Sequence, residues 1–434
     1  MPPPPPPSGR LRIASWNILA DSLARNNPQL YAACDPALLS AASRLPRLLS
    51  RLLALDADVI GLQEVERGCF DAHLAPALAR AGYRGVYKQR TGPQLDGVAL
   101  FFRTSRLALV RAEALEHRAL ARGAGGAEEA ERLSKPNVSL VLVLEPHGAP
   151  SRRLVLSCSH ILWNPRRGHV KLRQMLHVLG RVSNLRAEQL RDRSVATVGV
   201  VLLGDWNCTP HSPLYRLLVG GDFREPLASE GLWDGHEESE NLFLDAGIGN
   251  GKGYGKGKGY GKGKGYGRQQ EAHHGRSFYH TTTPRRGREG NRMVQDSNPL
   301  QVRSAYAQSG EPRCTSYHAG FQGTVDYILY DPSSLSVDSL LPVPSLQQLQ
   351  LHGSLPDSIT PSDHVPIAAE LSWAEDSTAT PAMAGLSNAA CEAGSGMHQG
   401  REGVGNGVPD DLSGVITADQ SSTADRSTLQ PIIL

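Results

Sequence analysis

The sequence predicts an α/β fold, in which short buried strands alternate with amphipathic helices. Seven runs are rich in β-branched and other apolar residues, and most are nearly continuous in them, as is typical of strands buried on both faces. These runs are LRIASW, DVIGLQ, GVALFF, SLVLVL, RLVLSCS, ATVGVVLLG and TVDYILY. Between them, residues 44–55 and 170–186 each place apolar side chains on one helical stripe. We expect both helices to cover the sheets with that stripe.

Three segments depart from this pattern. Residues 1–9 are proline-rich and predict a short disordered lead of polyproline II type. Residues 237–297 contain GKGYGK repeats of period six, in which glycine removes the side-chain surface that could offset the entropy of ordering. Residues 374–434 have the composition of a disordered acidic tail. The sequence therefore predicts one folded domain over 10–373, interrupted by a disordered basic insert at 237–297.

Charge and composition exclude some classes of protein. The 434 residues carry 45 Lys and Arg against 43 Asp and Glu, a net charge of +2. So balanced a charge does not by itself indicate a nucleic-acid partner. Over residues 252–313, however, 13 basic residues face 4 acidic ones, so the positive charge is concentrated around the insert. No apolar run approaches the roughly 18 residues that span a bilayer. The six cysteines form no CxxC pair, and we expect a reducing compartment, first the cytoplasm, with nucleus or organelle left open.

Acidic, amide and imidazole side chains gather where predicted strands end. In α/β folds, strand ends and their loops carry the reactive groups. Most of these side chains are hard oxygen donors, which Mg²⁺ and Mn²⁺ prefer, and no cysteine is placed to favour zinc. The set comprises Asn17, Glu64, His160, Asp205, Asn207, Asp363 and His364.

Two of these motifs also have ordinary structural readings. Asp205 and Asn207 lie two residues apart in GDWN, so an extended backbone would direct both to one phosphate or ion, but a simple β-turn is as good an interpretation. His364 in PSDHVP resembles a surface histidine, unless Asp326 of TVDYILY fixes its tautomer, as a carboxylate does beside a catalytic imidazole. Phosphodiester cleavage needs an activated water, neutralised phosphoryl oxygens and a proton for the leaving alkoxide, and this set supplies all three.

In order along the chain, these segments resemble the endonuclease/exonuclease/phosphatase superfamily, the deoxyribonuclease I-like fold. The matching segments are SWNILAD, DVIGLQEVE, YKQRTGPQLDGVALFFRTS, SHILWNPRRGHVKLRQ, GDWNCTPHSPLY, TVDYILY and PSDHVPI. ILAD, the stretch from RTG to DG, and NPRRG followed by VKL resemble the Angel branch of the carbon catabolite repressor 4 type deadenylases, which are relatives of nocturnin. The resemblance implies a four-layer α/β/β/α sandwich whose catalytic domain is the folded part of the chain.

The resemblance also implies a role for each matching residue. Glu64 corresponds to the principal Mg²⁺ ligand, with Asn17 beside it and Asp363 in support. Asp205 would orient the attacking water or hold a second ion, and Asn207 would contact the phosphate. His160 would bind phosphate or donate a proton, and His364 would be the second histidine, paired with Asp326. Pro165 and Phe321 stand where the deadenylase branch holds the terminal adenine.

These roles predict a Mg²⁺-dependent 3′-5′ exoribonuclease that trims poly(A) or other RNA 3′ ends. A second enzyme hypothesis keeps the fold but removes a terminal 2′,3′-cyclic phosphate from RNA. The third hypothesis is a non-catalytic RNA-binding scaffold, whose signature would be loss of Glu64, Asp205 or His364; all three are present.

The repeat at 251–267 alternates lysine and tyrosine with glycine, which suits non-specific contact with phosphates and unstacked bases. A solvated linker that grew in a permissive loop explains it equally simply. RNA contact by the repeat is therefore a hypothesis that the family resemblance does not address.

Overall fold

The computed structural model describes residues 9–220, 298–351, 353–374 and 429–434. The predicted proline-rich lead, nearly all of the stretch predicted to be the acidic tail, and the whole insert with its repeat lie outside these residues. Within the described residues, no helix is both long enough and apolar enough to cross a membrane.

A seven-stranded sheet, called sheet A here, forms one half of the molecule. Its strands run in the order β13-β14-β1-β2-β4-β3-β15. The first four strands in the chain are β1 (Arg10–Asn17), β2 (Val59–Glu66), β3 (Tyr83–Gln89) and β4 (Asp96–Arg103), and the last three are β13 (Leu335–Leu340), β14 (Ile367–Trp373) and β15 (Ile432–Ile433). The parallel pairing of β1 with β2 sets Asn17 opposite Gln63, next to Glu64.

A six-stranded sheet, called sheet B, forms the other half, with strand order β5-β6-β7-β8-β12-β9. It is built from β5 (Leu107–Glu116), β6 (Val138–Pro146), β7 (Arg152–His160), β8 (Thr197–Asp205), β9 (Arg303–Ser304) and β12 (Asp326–Tyr330). A separate hairpin consists of β10 (Ser316–His318) and β11 (Phe321–Gly323).

Helices cover the outer face of each sheet. Over sheet A lie α3 (Ala41–Ala54), α4 (Arg67–Cys69), a π-helical turn (Phe70–Leu74) and α5 (Ala75–Arg80). Before them in the chain, α1 (Asp21–Asn26), a 3-10 turn (Pro28–Tyr31) and α2 (Pro36–Leu39) contribute to a small apolar cluster of their own. Beside sheet B lie a 3-10 segment (His117–Gly123), α6 (Ala127–Leu133), α7 (Gly168–Leu190) and α8 (Pro213–Leu218). The short α9 (Leu346–Leu351) precedes the loop that leads to β14.

Three apolar clusters separate these layers. The central cluster lies between the sheets and joins residues such as Val59 and Leu100 of sheet A to Leu140 and Leu203 of sheet B. A second cluster packs α7 and α8 on sheet B, and a third packs α3 and α5 on sheet A. This arrangement is the predicted four-layer α/β/β/α sandwich, and the fold prediction is confirmed.

All seven predicted runs form strands, and both predicted helices form. The first, α3, begins and ends earlier than predicted, and the second, α7, extends further at both ends. The apolar stripe of α3 is narrower than its sequence suggests, because Leu48 and Leu52 are buried whereas Leu53 is 43% exposed. The sequence analysis did not predict β5. Its central residues are exposed, and apolar and polar side chains do not alternate regularly along it. An edge strand of this kind lacks the apolar run that marks a buried one.

The prediction of a disordered tail over 374–434 does not hold for its last residues. Ile432 and Ile433 form β15, which pairs in parallel with Val86 and Tyr87 at the edge of sheet A. Arg84 Nε also donates a hydrogen bond to the carbonyl oxygen of Gln430. The last four residues, PIIL, are apolar, whereas the residues before them are mostly polar. The apolar residues can cover an open sheet edge.

Candidate active site

Three site residues lie side by side across sheet B. The parallel register of β7 and β8 sets His160 opposite Asp205, and the antiparallel register of β8 and β12 sets Asp326 opposite Asp205. Gly204 is required for this approach, because it has a φ of 141° and an added Cβ would lie 2.1 Å from the carbonyl oxygen of Ser159. The sequence predicts that reactive side chains gather at strand ends, and the register of β8 with β7 and β12 brings these three together.

Sheet A contributes Asn17 and Glu64 to the same place. Asn17 is the last residue of β1, and its Nδ2 donates hydrogen bonds to Glu64 Oε1 at 3.0 Å and to Asp205 Oδ2 at 3.2 Å. The second bond joins the two sheets through their catalytic edge. Glu64 Oε2 also accepts a hydrogen bond from the backbone of Ala20 at 3.0 Å, so both oxygens of this carboxylate are oriented.

His364 enters the site from the loop before β14. Its Nδ1 lies 2.8 Å from Asp326 Oδ2, and its Nε2 lies 3.9 Å from Asp205 Oδ2. The Thr315 hydroxyl donates to the same Asp326 oxygen at 2.6 Å. The sequence analysis predicted the pairing of Asp326 with His364, and the structure brings these two residues together.

Asp363 points to a different neighbour. The Tyr31 hydroxyl donates to Asp363 Oδ2 at 2.9 Å, and Ser362, next in the chain, anchors the segment by donating to the carbonyl oxygen of Asn17 at 2.7 Å. The negative charge of Asp363 nevertheless acts on Glu64, whose pKa it helps to raise. Asp363 thus lies behind the cluster formed by Asn17, Glu64 and Asp205.

Asn207 does not have the extended backbone on which one reading of GDWN depended. Its φ is 49°, its backbone N–H donates to Asp205 Oδ1 at 3.0 Å, and its Nδ2 donates to the carbonyl oxygen of Ile161 at 2.9 Å. Lys171 Nζ donates to the Asn207 carbonyl oxygen at 2.7 Å. The turn is therefore built by local bonds, and the intervening Trp206 is buried.

Pro165 and Phe321 lie in two loops near the strand ends. Pro165 follows β7 by five residues and is half-buried, and Phe321 begins β11, also half-buried. The ring of Phe321 lies 6.3 Å from that of His318, and His318 lies 6.2 Å from Tyr31, centroid to centroid. The clasp of a base between Pro165 and Phe321 stays a prediction.

Burial sets the protonation of these groups. Burial, and after it the charge of Asp326, raises the pKa of Asp205 to about 7. Burial, and after it the charge of Asp363, raises the pKa of Glu64. Burial and Arg90 lower the pKa of His160 to about 4. Burial alone would lower the pKa of His364, but Asp326 outweighs it and raises that pKa well above its usual value.

The donor set fits a divalent cation. One oxygen or nitrogen each of Asp205, Asp326 and His364 lies within 4.8 Å of the others, a cluster that borders the predicted ligands Asn17 and Glu64 through Asp205 but includes none of the three predicted ligands. Asp326 Oδ1 is buried with no hydrogen-bond partner among the residues that the structure describes. Crowded carboxylates with raised pKa values are what a cation stabilises. The amide nitrogen of Asn17 faces Glu64 and Asp205, so its predicted role as a ligand requires the amide to turn its oxygen to the ion.

Sequence reasoning missed several residues that hold the site. Tyr31, Thr315 and Lys171 each bind a predicted site residue or its backbone. None of them belongs to a strand-end motif of acidic or imidazole residues, so only the folded chain reveals them.

Known proteins are similar to this chain over most of its length. The model of the endonuclease/exonuclease/phosphatase family matches residues 14–364. Protein angel homolog 2 of Danio rerio is 30% identical over 379 residues, covering 82% of this chain and 63% of the relative. The 2′,5′-phosphodiesterase 12 of Homo sapiens is 27% identical over 378 residues, covering 84% of this chain and 52% of the relative.

The chain thus spans between about half and two thirds of the length of these relatives. A crystal structure of ANGEL2, a 2′,3′-cyclic phosphatase, in complex with adenosine-2′,3′-vanadate is similar at a TM-score of 0.63 with 26% sequence identity. That match covers 84% of this chain and 95% of the other. The family match spans both sheets and every predicted catalytic residue, and the chain therefore belongs to the endonuclease/exonuclease/phosphatase family.

Proposed function

We propose that this protein is a divalent-metal-dependent hydrolase of phosphodiester bonds at RNA 3′ ends. The observation that carries the proposal is the junction at Asp205, where His160 and Asp326 of sheet B meet Asn17 and Glu64 of sheet A and His364 of the loop before β14. Each of the three requirements of phosphodiester hydrolysis has a residue at this junction.

In the proposed reaction, Asp205 orients the attacking water and accepts its proton. His364, held by Asp326 in a form with Nε2 as donor, stabilises the charge that develops on the phosphoryl oxygens. His160, which burial keeps neutral, donates a hydrogen bond to the phosphate. The proton for the leaving oxygen comes from His364, whose pKa the neighbouring Asp326 raises. A bound Mg²⁺ or Mn²⁺, with Glu64 as principal ligand and Asn17 and Asp363 in support, would neutralise the phosphoryl group.

For the substrate, the first candidate is now an RNA that ends in a 2′,3′-cyclic phosphate. This preference rests on the similarity to ANGEL2, whose structure contains adenosine-2′,3′-vanadate. Opening a cyclic phosphate and cutting an internucleotide bond share the same attack on phosphorus. They differ in whether the leaving oxygen stays on the same ribose.

The second candidate is the poly(A)-specific 3′-5′ exoribonuclease that the sequence favours. It is supported by the position of Phe321 in β11, whose partner strand β10 bridges from Ser316 to His364. Stacking on an aromatic ring contributes about 1 to 3 kcal/mol per base for any base, so a preference for adenine would also need contacts to the edge of the base.

One experiment separates these candidates. Protein with Mg²⁺ is offered matched RNAs that end in adenosines, in other bases, in a 2′,3′-cyclic phosphate, or in a 2′,5′-linked adenylate, and the products are sized on a gel. We expect loss of the cyclic phosphate without shortening of the chain. Progressive shortening of the A-ended RNA would establish the exonuclease instead.

The isosteric variant Asp205→Asn is the control and should be inactive on every substrate. Absence of hydrolysis of all four RNAs by the wild-type protein would reject the proposed function and leave the non-catalytic scaffold.

A further inference from the structure

Trp163 is the most exposed of the large aromatic side chains that the structure describes, with 65% of its possible surface open to solvent. The other tryptophans that the structure describes, Trp16, Trp206 and Trp373, are fully buried. An exposed indole does not gain the free energy that burial of its large apolar surface would supply, so we expect its position to serve a function. It lies three residues after His160 and two before Pro165, directly beside the candidate active site.

The loop that presents Trp163 is held at both ends. On the side of His160, Gln174 Oε1 accepts a hydrogen bond from the Leu162 backbone at 3.0 Å, and buried Asn137 donates to the His160 carbonyl oxygen at 3.0 Å. On the other side, Asn164 Oδ1 accepts from the Arg166 backbone at 2.9 Å. Trp163 therefore projects from a braced turn, which lowers the entropy that a ligand would lose in ordering it.

Cationic side chains follow in the same loop. Arg166 is exposed and Arg167 is half-buried, and neither side chain has a hydrogen bond or ion pair within the part of the chain that the structure describes. Arg132, Arg167 and Lys135 also lie close enough to His169 to lower its pKa, after the larger effect of burial and against the opposing charge of Glu129. The loop thus joins a ring to a local excess of positive charge.

We propose that Trp163, with Arg166 and Arg167, binds the RNA strand next to the nucleotide that occupies the active site. A base would stack on Trp163, and the arginines would contact the flanking phosphates. Aromatic rings and cations together are the surface that binds single-stranded nucleic acid without sequence preference. Three residues reach at most about 10 Å, so a strand whose end lies at His160 meets this surface at once. The inference rests on the proposed function, because RNA must be the substrate.

Binding is tested without catalysis. In EDTA, a ten-nucleotide RNA should quench the tryptophan fluorescence of the wild-type protein. Trp163→Ala should remove the part of this quenching that comes from Trp163. Trp163→Phe should retain RNA affinity, measured by anisotropy of a labelled RNA, because it keeps a ring. Trp163→Ala should weaken that affinity by about 5-fold to 100-fold.

Matched controls lie at the far end of α7, about 33 Å along the helix. Leu190→Ala removes another exposed apolar side chain, which is 47% exposed, and should leave RNA affinity unchanged. Arg166→Glu should weaken binding and flatten its dependence on salt, whereas Arg193→Glu should do neither.

Turnover gives an independent readout. Trp163→Ala should raise KM for a ten-nucleotide RNA with the preferred end and leave kcat near its wild-type value, while the shortest substrate that the protein hydrolyses shows no change. If the wild-type protein hydrolyses RNA and Trp163→Ala binds it as tightly, the inference is wrong while the proposed function stands, and Trp163 belongs to a protein-binding surface. If the wild-type protein hydrolyses no RNA but binds it through Trp163, the proposed function is wrong and the RNA surface stands.

Discussion

Glu64 is a site carboxylate of sheet A whose backbone is strained. Its φ is 57°, a left-handed conformation that is costly for a residue with a Cβ. The pairing of β2 with β4 shifts register between Gln63 and Val65, so Glu64 occupies a β-bulge. Bulges re-aim a side chain, and this one turns a carboxylate towards Asn17 and the Ala20 backbone.

The first prediction concerns Glu64→Gln, which keeps the size and the acceptor of the side chain but removes its charge. Because a cation interacts with the charge, we expect turnover to fall at least 100-fold, and we expect Mg²⁺ to raise the melting temperature of the wild-type protein but not of the variant. Thermal melts with Mg²⁺ or EDTA, alongside activity, check both effects. Glu66→Gln, two residues further along β2, is the control and should respond to Mg²⁺ as the wild-type protein does. Equal stabilisation of Glu64→Gln would show that the ion binds elsewhere.

At the scale of elements, α3 fastens the loops that carry the site. Buried Arg44 donates hydrogen bonds to the carbonyl oxygens of Ile18 and Leu19, which follow Asn17, and of Pro361, which precedes Asp363. A fourth bond from its Nε reaches Leu39. One guanidinium thereby fixes the distance between two site loops, a geometry that the single ammonium of lysine cannot reproduce.

We therefore predict that Arg44→Lys lowers the free energy of unfolding by about 3 kcal/mol, because buried carbonyl groups lose their donors. Turnover should also fall under conditions where the variant remains folded, since Asn17 and Asp363 lose their common anchor. Urea unfolding and activity at low temperature measure these effects.

Arg47→Lys is the matched control for this change. Arg47 lies one turn further along α3 and donates to carbonyl oxygens of Ser43, Leu38 and Asp357. It is only half-buried and reaches the loop before β14 but not the loop after Asn17, so it does not link the two. We expect a smaller loss both of stability and of turnover than for Arg44→Lys. Equal losses in the two variants would contradict a specific role for Arg44.

At the scale of the molecule, the active site is the place where the two sheets meet at one edge. The bond from Asn17 to Asp205 crosses from sheet A to sheet B, and the Trp16 indole donates to the His364 carbonyl oxygen at 2.8 Å. Residues far apart in the chain therefore depend on the packing of the two sheets. A substitution in the central cluster can reduce turnover without touching a site residue.

The lysine and tyrosine repeat, which lies outside the described residues, supports a prediction from its sequence alone. Deleting residues 249–267 should raise KM for long RNA at low salt and leave kcat near its original value, because the repeat would aid capture and not the chemical step. A dinucleotide is too short to reach the repeat and serves as the control. An unchanged KM for long RNA at low ionic strength would identify the repeat as a neutral linker.

The sequence by itself determined the fold class, seven of the strands, and the acidic and imidazole residues that the fold brings together at the candidate site. It did so because buried strands are marked by apolar runs and because strand ends collect reactive groups. The pairing of Asp326 with His364 could also be predicted, since both lie in motifs of familiar chemistry.

Only the tertiary structure decided how those residues are held. The left-handed backbone of Glu64, the turn that redirects Asn207, and the anchoring by Tyr31 and Arg44 depend on contacts between distant segments. The C-terminal strand β15 likewise exists because sheet A leaves an edge at β3 that two isoleucines can cover. Local sequence specifies propensity and pattern, whereas register, bulges and buried bonds are selected when the layers pack.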